Sequence, residues 1–345
     1  AQYGSDAISG VINLILDRST GTRAQVTGGI TTKGDGAYGQ ASVSSGIRVG
    51  QDGVFRLTAS FQQNEATDRS RPDTRQQYFG TNVQGLPTTI SGNYGSGTGL
   101  TPSNGALDPR EATIDRDVFR FGDQPSTNKQ LFYYFVAPAS ESVEVYSFGG
   151  YNRLDGDIEY FFRRAGQDET IRAINPDGYR PRLDSQLENF SIAMGLRGDD
   201  VAGFGWDLST VYGVNSQDLT YENSVNVSYG TATPRRFYRL GSDFYQWTSN
   251  LDLTREIPLG GAEPLKLAAG LEYREESYRL MSGDPAGYLS GGVPILDGPN
   301  AGRPAIVGAQ PGPSNGADDR ASLNRQSWAI YGDAEKTLSG RLLLQ

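Results

Sequence analysis

The sequence predicts an all-β fold, an antiparallel transmembrane β-barrel of which about ten strands are present. Three observations carry this expectation. Apolar and polar residues alternate with period 2 in segment after segment, the mark of strands whose two faces meet different surroundings. The connections alternate between short and long, as in outer-membrane barrels, where tight turns lie at one end and long loops at the other. Finally, the 345 residues include 45 Gly, 19 Tyr and 14 Phe but no Cys, a composition of strands and turns without a disulfide framework.

The strands are expected at about 24–32, 38–49, 54–62, 130–137, 142–153, 187–198, 205–216, 244–257, 265–277 and 326–338, with an eleventh beginning at Arg341. In 54–62, Phe55, Leu57, Ala59 and Phe61 oppose Arg56, Thr58, Ser60 and Gln62. In 189–197, Phe190, Ile192, Met194 and Leu196 oppose Asn189, Ser191, Ala193 and Gly195. The segments containing Leu208, Leu251, Leu267 and Leu271 repeat the pattern. These apolar residues are expected to face lipid. Arg56, Asp207, Asp252, Lys266, Glu272 and Arg274 then fall on the lumen side, since a closed barrel satisfies its backbone within the ladder and leaves the interior free to be polar. Phe61, Tyr151, Trp206, Phe244, Trp247, Tyr273 and Trp328 lie near strand ends and are expected to form interfacial girdles.

After a first hairpin at 33–37, the connections 51–53, 138–141, 199–204 and 258–264 are short, whereas 63–129, 166–186, 217–243 and 278–325 are long. GDGAYG at 34–39 and NPDG at 175–178 read as turn chemistry, since no helix follows the former to make a phosphate loop. Asp155 and Asp157 form a carboxylate pair, but their DG step is first a turn signal, and a calcium site needs more oxygen ligands.

Composition excludes several classes of function. With no His and no Cys there is no His-dependent triad and none of the usual zinc sites, and no metal or cofactor is expected. The net charge of −9 lacks the basic stripe that nucleic acid requires. No apolar run approaches the ~20 residues of a spanning helix. No catalytic constellation is visible, so an enzyme is not expected.

Residues 3–17, YGSDAISGVINLILD, resemble the last plug strand of TonB-dependent outer-membrane receptors, whose plug closes with a Tyr-Gly-Ser-x-Ala-x-x-Gly-Val-Ile-Asn run. Tyr3, Gly4, Ser5, Ala7, Gly10, Val11, Ile12 and Asn13 match it. FGGYNRLDGD, FFRRAG and GLEYREESY resemble barrel segments of the same receptors. The resemblance implies that 1–22 is the C-terminal end of a plug domain and that 23–345 is the N-terminal part of the barrel. The chain would be a fragment, holding roughly the first half of a 22-stranded barrel of the plugged type. It further implies a Gram-negative outer-membrane location, contact with lipid and lipopolysaccharide, and TonB as the energising partner through a TonB box outside this segment. The implied activity is uptake of a scarce nutrient, such as a siderophore, a cobalamin-like cofactor or an oligosaccharide. A surface adhesin or a passive porin is the alternative.

Ligand contacts are expected from the long loops, whose Arg and Tyr clusters suit anionic or ring-bearing ligands through bidentate and stacking contacts. The residues singled out are Arg163, Arg164, Tyr179, Arg180, Arg182, Arg235, Arg236 and Tyr238. Contacts with lipopolysaccharide phosphates, or solvation alone, are the competing readings of these clusters.

Overall fold

A computed structural model describes residues 15–81, 87–88, 107–259, 263–338 and 342–344. The motif residues Tyr3, Gly4, Ser5, Ala7, Gly10, Val11, Ile12 and Asn13 lie outside the described residues. The strands are β1 (Gly21–Gly29), β2 (Tyr38–Val49), β3 (Gly53–Asn64), β4 (Gly80–Thr81), β5 (Pro87–Thr88), β6 (Ser126–Pro138), β7 (Val143–Glu159), β8 (Arg182–Val201), β9 (Phe204–Glu222), β10 (Phe237–Ile257), β11 (Leu265–Ser282), β12 (Ala321–Leu338) and β13 (Leu342–Leu344). All but β4 and β5 form one antiparallel sheet in chain order, with β1 and β13 at its edges. Each strand pairs with the next, so the wall is a continuous meander that does not close on itself. No helix among the described residues is long and apolar enough to cross a membrane.

Each expected strand is present. Many run further than expected toward the long loops: β8 begins at Arg182 rather than near 187, and β11 ends at Ser282 rather than near 277. Most outward residues of these extensions are polar, Met281 being an exception, so apolar alternation weakens before the strand ends. The first wall strand starts at Gly21, slightly before the expected boundary, and residues 15–20 stand outside the sheet.

The short connections hold as expected. Ala202 and Gly203 both adopt positive φ, 57° and 79°. That is the geometry of a two-residue turn whose twist matches the strands it joins.

Cross-strand register sorts the side chains into two faces. Leu196 pairs with Leu208, Leu208 with Leu251, Leu251 with Leu271 and Leu271 with Ile330, all on one face. That face exposes Leu57, Phe61, Phe190, Met194, Leu208 and Trp328. An apolar surface of this extent on a closed soluble protein would be a liability; on a barrel it is the lipid-facing band. Near its upper edge, aromatic residues line up: Tyr151 opposite Phe190, Tyr212 opposite Trp247, and Tyr273 opposite Trp328. Phe190 is in register with Val214 rather than Tyr212, so the row steps by one inward–outward pair between strands, as tilted strands require.

Phe244 departs from the expected girdle. It pairs with Asn215 on the polar face, opposite in sense to Trp247. A strand alternates its side chains, so two residues three apart cannot share a face. Phe244 is therefore a lumen residue.

The polar face carries its charges in two regions. At the short-turn end, Arg56 donates to Ser44 Oγ (2.7 Å) and to the Ser19 carbonyl (2.7 Å). Arg18 and Arg197 both pair with Glu144, the former at 3.3 Å. Residues 17–19 thus rest against the inner wall before the chain enters β1. On β11, Arg274 pairs with Glu272 at 2.9 Å and Glu276 with Arg325 of β12.

Candidate ligand-facing surface

The described residues of the four long connections, 65–81, 87–88, 107–125, 160–181, 223–236 and 283–320, do not splay into solvent. They pack into a cap over the upper wall. A β-bulge between Tyr238 and Leu240 reverses the sense of β10 and turns Phe237 onto the lumen face. There Phe237 joins Leu183, Leu219 and Tyr221 in a buried cluster closed from above by Ala309. A second cluster of Ile171, Tyr179, Val225 and Val227 links the second and third connections.

Polar groups join the clusters. Glu111 Oε1 accepts from the backbone N–H groups of Gln77 (2.6 Å) and Tyr78 (2.8 Å), and Glu111 Oε2 pairs with Arg116 at 2.7 Å. Asn226 donates to the carbonyls of Ala286 (2.8 Å) and Leu289 (2.9 Å). Ser224 Oγ donates to the Gln310 carbonyl at 2.7 Å. These bonds span long sequence separations, so the cap is one folded layer rather than four independent loops.

The structure divides the eight residues expected to contact ligand into two groups. Arg163, Arg164, Tyr179, Arg180 and Arg235 belong to the cap. Arg164 is 1% exposed and donates to the Gln76 carbonyl at 2.9 Å. Burial and the neighbouring Arg75 push its pKa down to about 10. Tyr179 is enclosed, donates to the Glu169 carbonyl at 3.0 Å, and has its phenol pKa raised by burial. Arg163 donates to Gln310 Oε1 at 2.5 Å and Arg180 to Glu159 at 2.8 Å. Arg235 donates to Asn175 at 2.8 Å and lies over the Tyr179 ring at 5.9 Å. These side chains hold connections to one another, and in this arrangement Arg164 and Tyr179 have no surface to offer a ligand.

Arg182, Arg236 and Tyr238 are elsewhere. Arg182 pairs with Asp157 at 3.1 Å and Arg236 with Glu222 at 2.6 Å. The Tyr238 hydroxyl donates to Asp218. Asp157, Glu222 and Asp218 all occupy outward positions above the aromatic row. The three residues thus face the exterior of the wall, above the apolar band. Asp155 pairs with Arg153 at 2.9 Å, so the Asp155/Asp157 pair is divided between two arginines. Among the described residues no group of three or more His, Cys, Asp or Glu is placed to hold a metal.

Below the cap, the lumen face presents a surface that the Arg and Tyr clusters did not indicate. Gln130, Asn152, Asn189, Asn215 and Phe244 stand in direct register across five strands. In the adjacent row stand Phe132, Gly150, Ser191, Gly213 and Gln246. Together they form a trough of about 510 Å³. The signal was present in the sequence: Asn152, Asn189 and Asn215 each adjoin an outward residue, Tyr151, Phe190 or Val214, so alternation alone sends all three inward.

A meandering wall, apolar outside and polar inside, with tight turns at one end and folded connections at the other, defines a section of a large antiparallel β-barrel. It is the barrel fold of TonB-dependent receptors. The chain is similar to a variant of the ferric enterobactin receptor PfeA from Pseudomonas aeruginosa, with a TM-score of 0.52 and 13% identity over 97% of this chain and 40% of that one. It also aligns with the closed form of the ferric-catecholate import receptor Fiu from Escherichia coli, with a TM-score of 0.44 and 11% identity over 93% of this chain and 44% of that one. The chain thus spans less than half the length of either receptor. No protein-family model matches it, and no curated protein matches it in sequence.

Proposed function

We propose that this chain is the proximal barrel section of an outer-membrane receptor that takes up a scarce nutrient, with TonB supplying energy through a segment outside these residues. The role is transport and not catalysis. The observation that carries the reading is the two-faced wall: an outward apolar band with an aromatic row, backed by a polar, hydrogen-bonded lumen and topped by a folded cap. A passive pore gains little from a cap stitched across all its long connections, whereas a receptor needs such a surface to recognise cargo before admitting it. Siderophores, cobalamin-like cofactors and oligosaccharides are the ligand classes in play. Residues 15–20 lead into the wall along its inner base, as the end of a plug would.

The test is uptake by cells expressing the full-length protein, with and without the TonB partner. Accumulation that depends on the partner supports the reading. Entry that is linear in concentration and indifferent to the partner indicates a passive pore.

A further inference from the structure

We propose that the lumen amide row Asn128, Asn152, Asn189 and Asn215, flanked by Phe132 and Phe244, is a binding track for a neutral, hydroxyl-rich ligand of the oligosaccharide class. The inference rests on the transport reading above and narrows its ligand.

The charge of the inner wall favours a neutral ligand. Between the basal group of Arg56, Glu144, Arg197, Asp207 and Asp252 and the cap, every inward position of β2, β3 and β6–β10 is Ser, Thr, Asn, Gln, Gly, Ala, aromatic or aliphatic. Inward charge resumes only on β11, with Glu272, Arg274 and Glu276. A polyanionic chelate would cross this surface without a cation to replace its lost hydration, and burying an unpaired charge is costly. A neutral polyol has no such cost.

The hydrogen bonds of the row suit hydroxyl groups. Asn215 Nδ2 donates to Asn189 Oδ1 at 2.5 Å, Asn189 Nδ2 to Asn152 Oδ1 at 3.4 Å, and Asn152 Nδ2 to Asn128 Oδ1. All three bonds run in one direction, so the row is aligned and its members polarise one another. An amide has two N–H donors and an oxygen with two lone pairs. Asn189 and Asn215 each spend one donor within the row, which leaves a further donor and acceptor on each of two adjacent strands, whereas Asn152 also donates to the Lys129 carbonyl at 3.4 Å and keeps only acceptor capacity. Adjacent strands repeat this pair every ~4.8 Å. Hydroxyl groups, being donor and acceptor at once, are the natural complement; carboxylates and catecholates use only the donors.

The shape of the trough suits a ring. Gly150, Ser191 and Gly213 make a low floor beneath the row, and the two Phe residues stand at its opposite ends on β6 and β10. Aromatic edges and faces at the ends of a polar trough suit ring C–H surfaces. A Cβ added at Gly213 would meet only the Phe190 carbonyl, at 3.9 Å, so the floor is open there by composition and not by crowding.

The test uses the purified full-length receptor and two probes: a pool of neutral hexasaccharides of glucose, xylose and mannose, and ferric tris-catecholate. The expected result is calorimetric binding of the neutral pool and none of the chelate. Asn189→Asp, which swaps two donors for a charge without changing shape, should weaken binding about tenfold, the loss of roughly one hydrogen bond. Gly213→Val should weaken it as much by narrowing the trough while leaving the wall intact. Because these residues include no Cys, Asn189→Cys adds a single thiol to them for a maleimide reagent. Its labelling should be slowed by the neutral pool.

Three results would overturn the proposal: binding of the chelate alone or of neither probe, binding unaffected by both variants, or a thiol shielded at all times because the upstream chain covers the row. Binding needs no energy source, so the outcomes separate. Neutral ligand bound but never accumulated would sink the transport reading and leave the site. Energised uptake of the chelate would do the reverse.

Discussion

The Arg164 guanidinium donates to the backbone carbonyl of Gln76, 88 residues away, and both side chains are sealed from solvent. Gly166 reinforces the same junction by donating its N–H to the Gln77 carbonyl at 2.7 Å. One buried cation therefore joins the first and second long connections. Its charge survives at neutral pH even with the depressed pKa.

Replacing Arg164 with Ala should loosen that junction by about 1–3 kcal/mol, the usual cost of stranding a buried acceptor. The wall strands should be unaffected. Limited proteolysis reads the difference: new cleavage is expected within 107–125 and 160–181, with β6–β10 still protected. Lys should not restore protection, because a point-like ammonium cannot reproduce the planar fork. Wild-type cleavage in Arg164→Ala would mean that the clusters around Phe237 and Tyr179 hold the cap unaided.

The cap should also be acid-labile. The Arg69 guanidinium, with Thr31 and the Asp68 N–H, holds the Asp35 carboxyl far below its ordinary value. Arg110 lowers Asp108. Burial alone would raise Asp73, but hydrogen bonds from Arg75 and Gln77 outweigh it and the net shift is downward. A carboxylate with a depressed folded pKa contributes stability that is fully present above its unfolded value of about 3.9 and is lost as pH falls through the folded value. Hydrogen exchange in 65–81 and 107–125 should therefore rise below about pH 4 while exchange in the strands stays slow. Uniform protection down to pH 2 would contradict the ion-pair account.

Outward positions should be intolerant of charge. Met194 is 47% exposed in the isolated wall, in the middle of the apolar face. Met194→Arg in the full receptor should cost about 2–4 kcal/mol if the position lies near the bilayer midplane. Ser42→Gln, an equally large change on the lumen side of β2, should cost under about 0.5 kcal/mol, as a surface substitution does. Refolding into lipid vesicles across a urea series compares the two. Equal costs would imply that both faces are wet or both are packed.

These contrasts mark how far the sequence could be read. Alternation at Phe190–Leu196 and its counterparts located every wall strand, because a strand with one apolar and one polar face must read with period 2. The strand ends were less legible. In Arg182–Leu187 the outward residues Arg182, Asp184 and Gln186 are as polar as a loop, since that part of β8 rises above the apolar band. The Arg and Tyr clusters were read by type, and type does not reveal that Arg164 is enclosed while Arg236 is 70% exposed at its side chain. Partners such as Gln76 and Gln310 are set by tertiary packing across long gaps. The asparagine row was recoverable from alternation but draws no notice as a motif, since its meaning comes from register across four strands.

The three Trp residues offer a direct test of which way the wall faces. Trp206 pairs with Leu253, Trp247 with Tyr212 and Trp328 with Tyr273, all on the outward side. Trp247 also donates from its indole N–H to Thr210 at 2.7 Å, which satisfies its one polar group beside the apolar band. Indoles at such positions sit where hydrocarbon meets headgroups. Brominated acyl chains quench Trp only within short range, so fluorescence of Trp206, Trp247 and Trp328 should fall when a full receptor carrying only these three Trp is reconstituted in brominated lipid. Phe244→Trp adds a reporter in the same aromatic-rich region of β10 but on the lumen face. Its extra emission should resist the brominated lipid and yield to a water-soluble quencher added to the aqueous phase. Quenching of the Phe244→Trp signal by lipid, with protection of Trp247, would invert the two faces and overturn both the lipid-facing assignment and the trough beside Phe244.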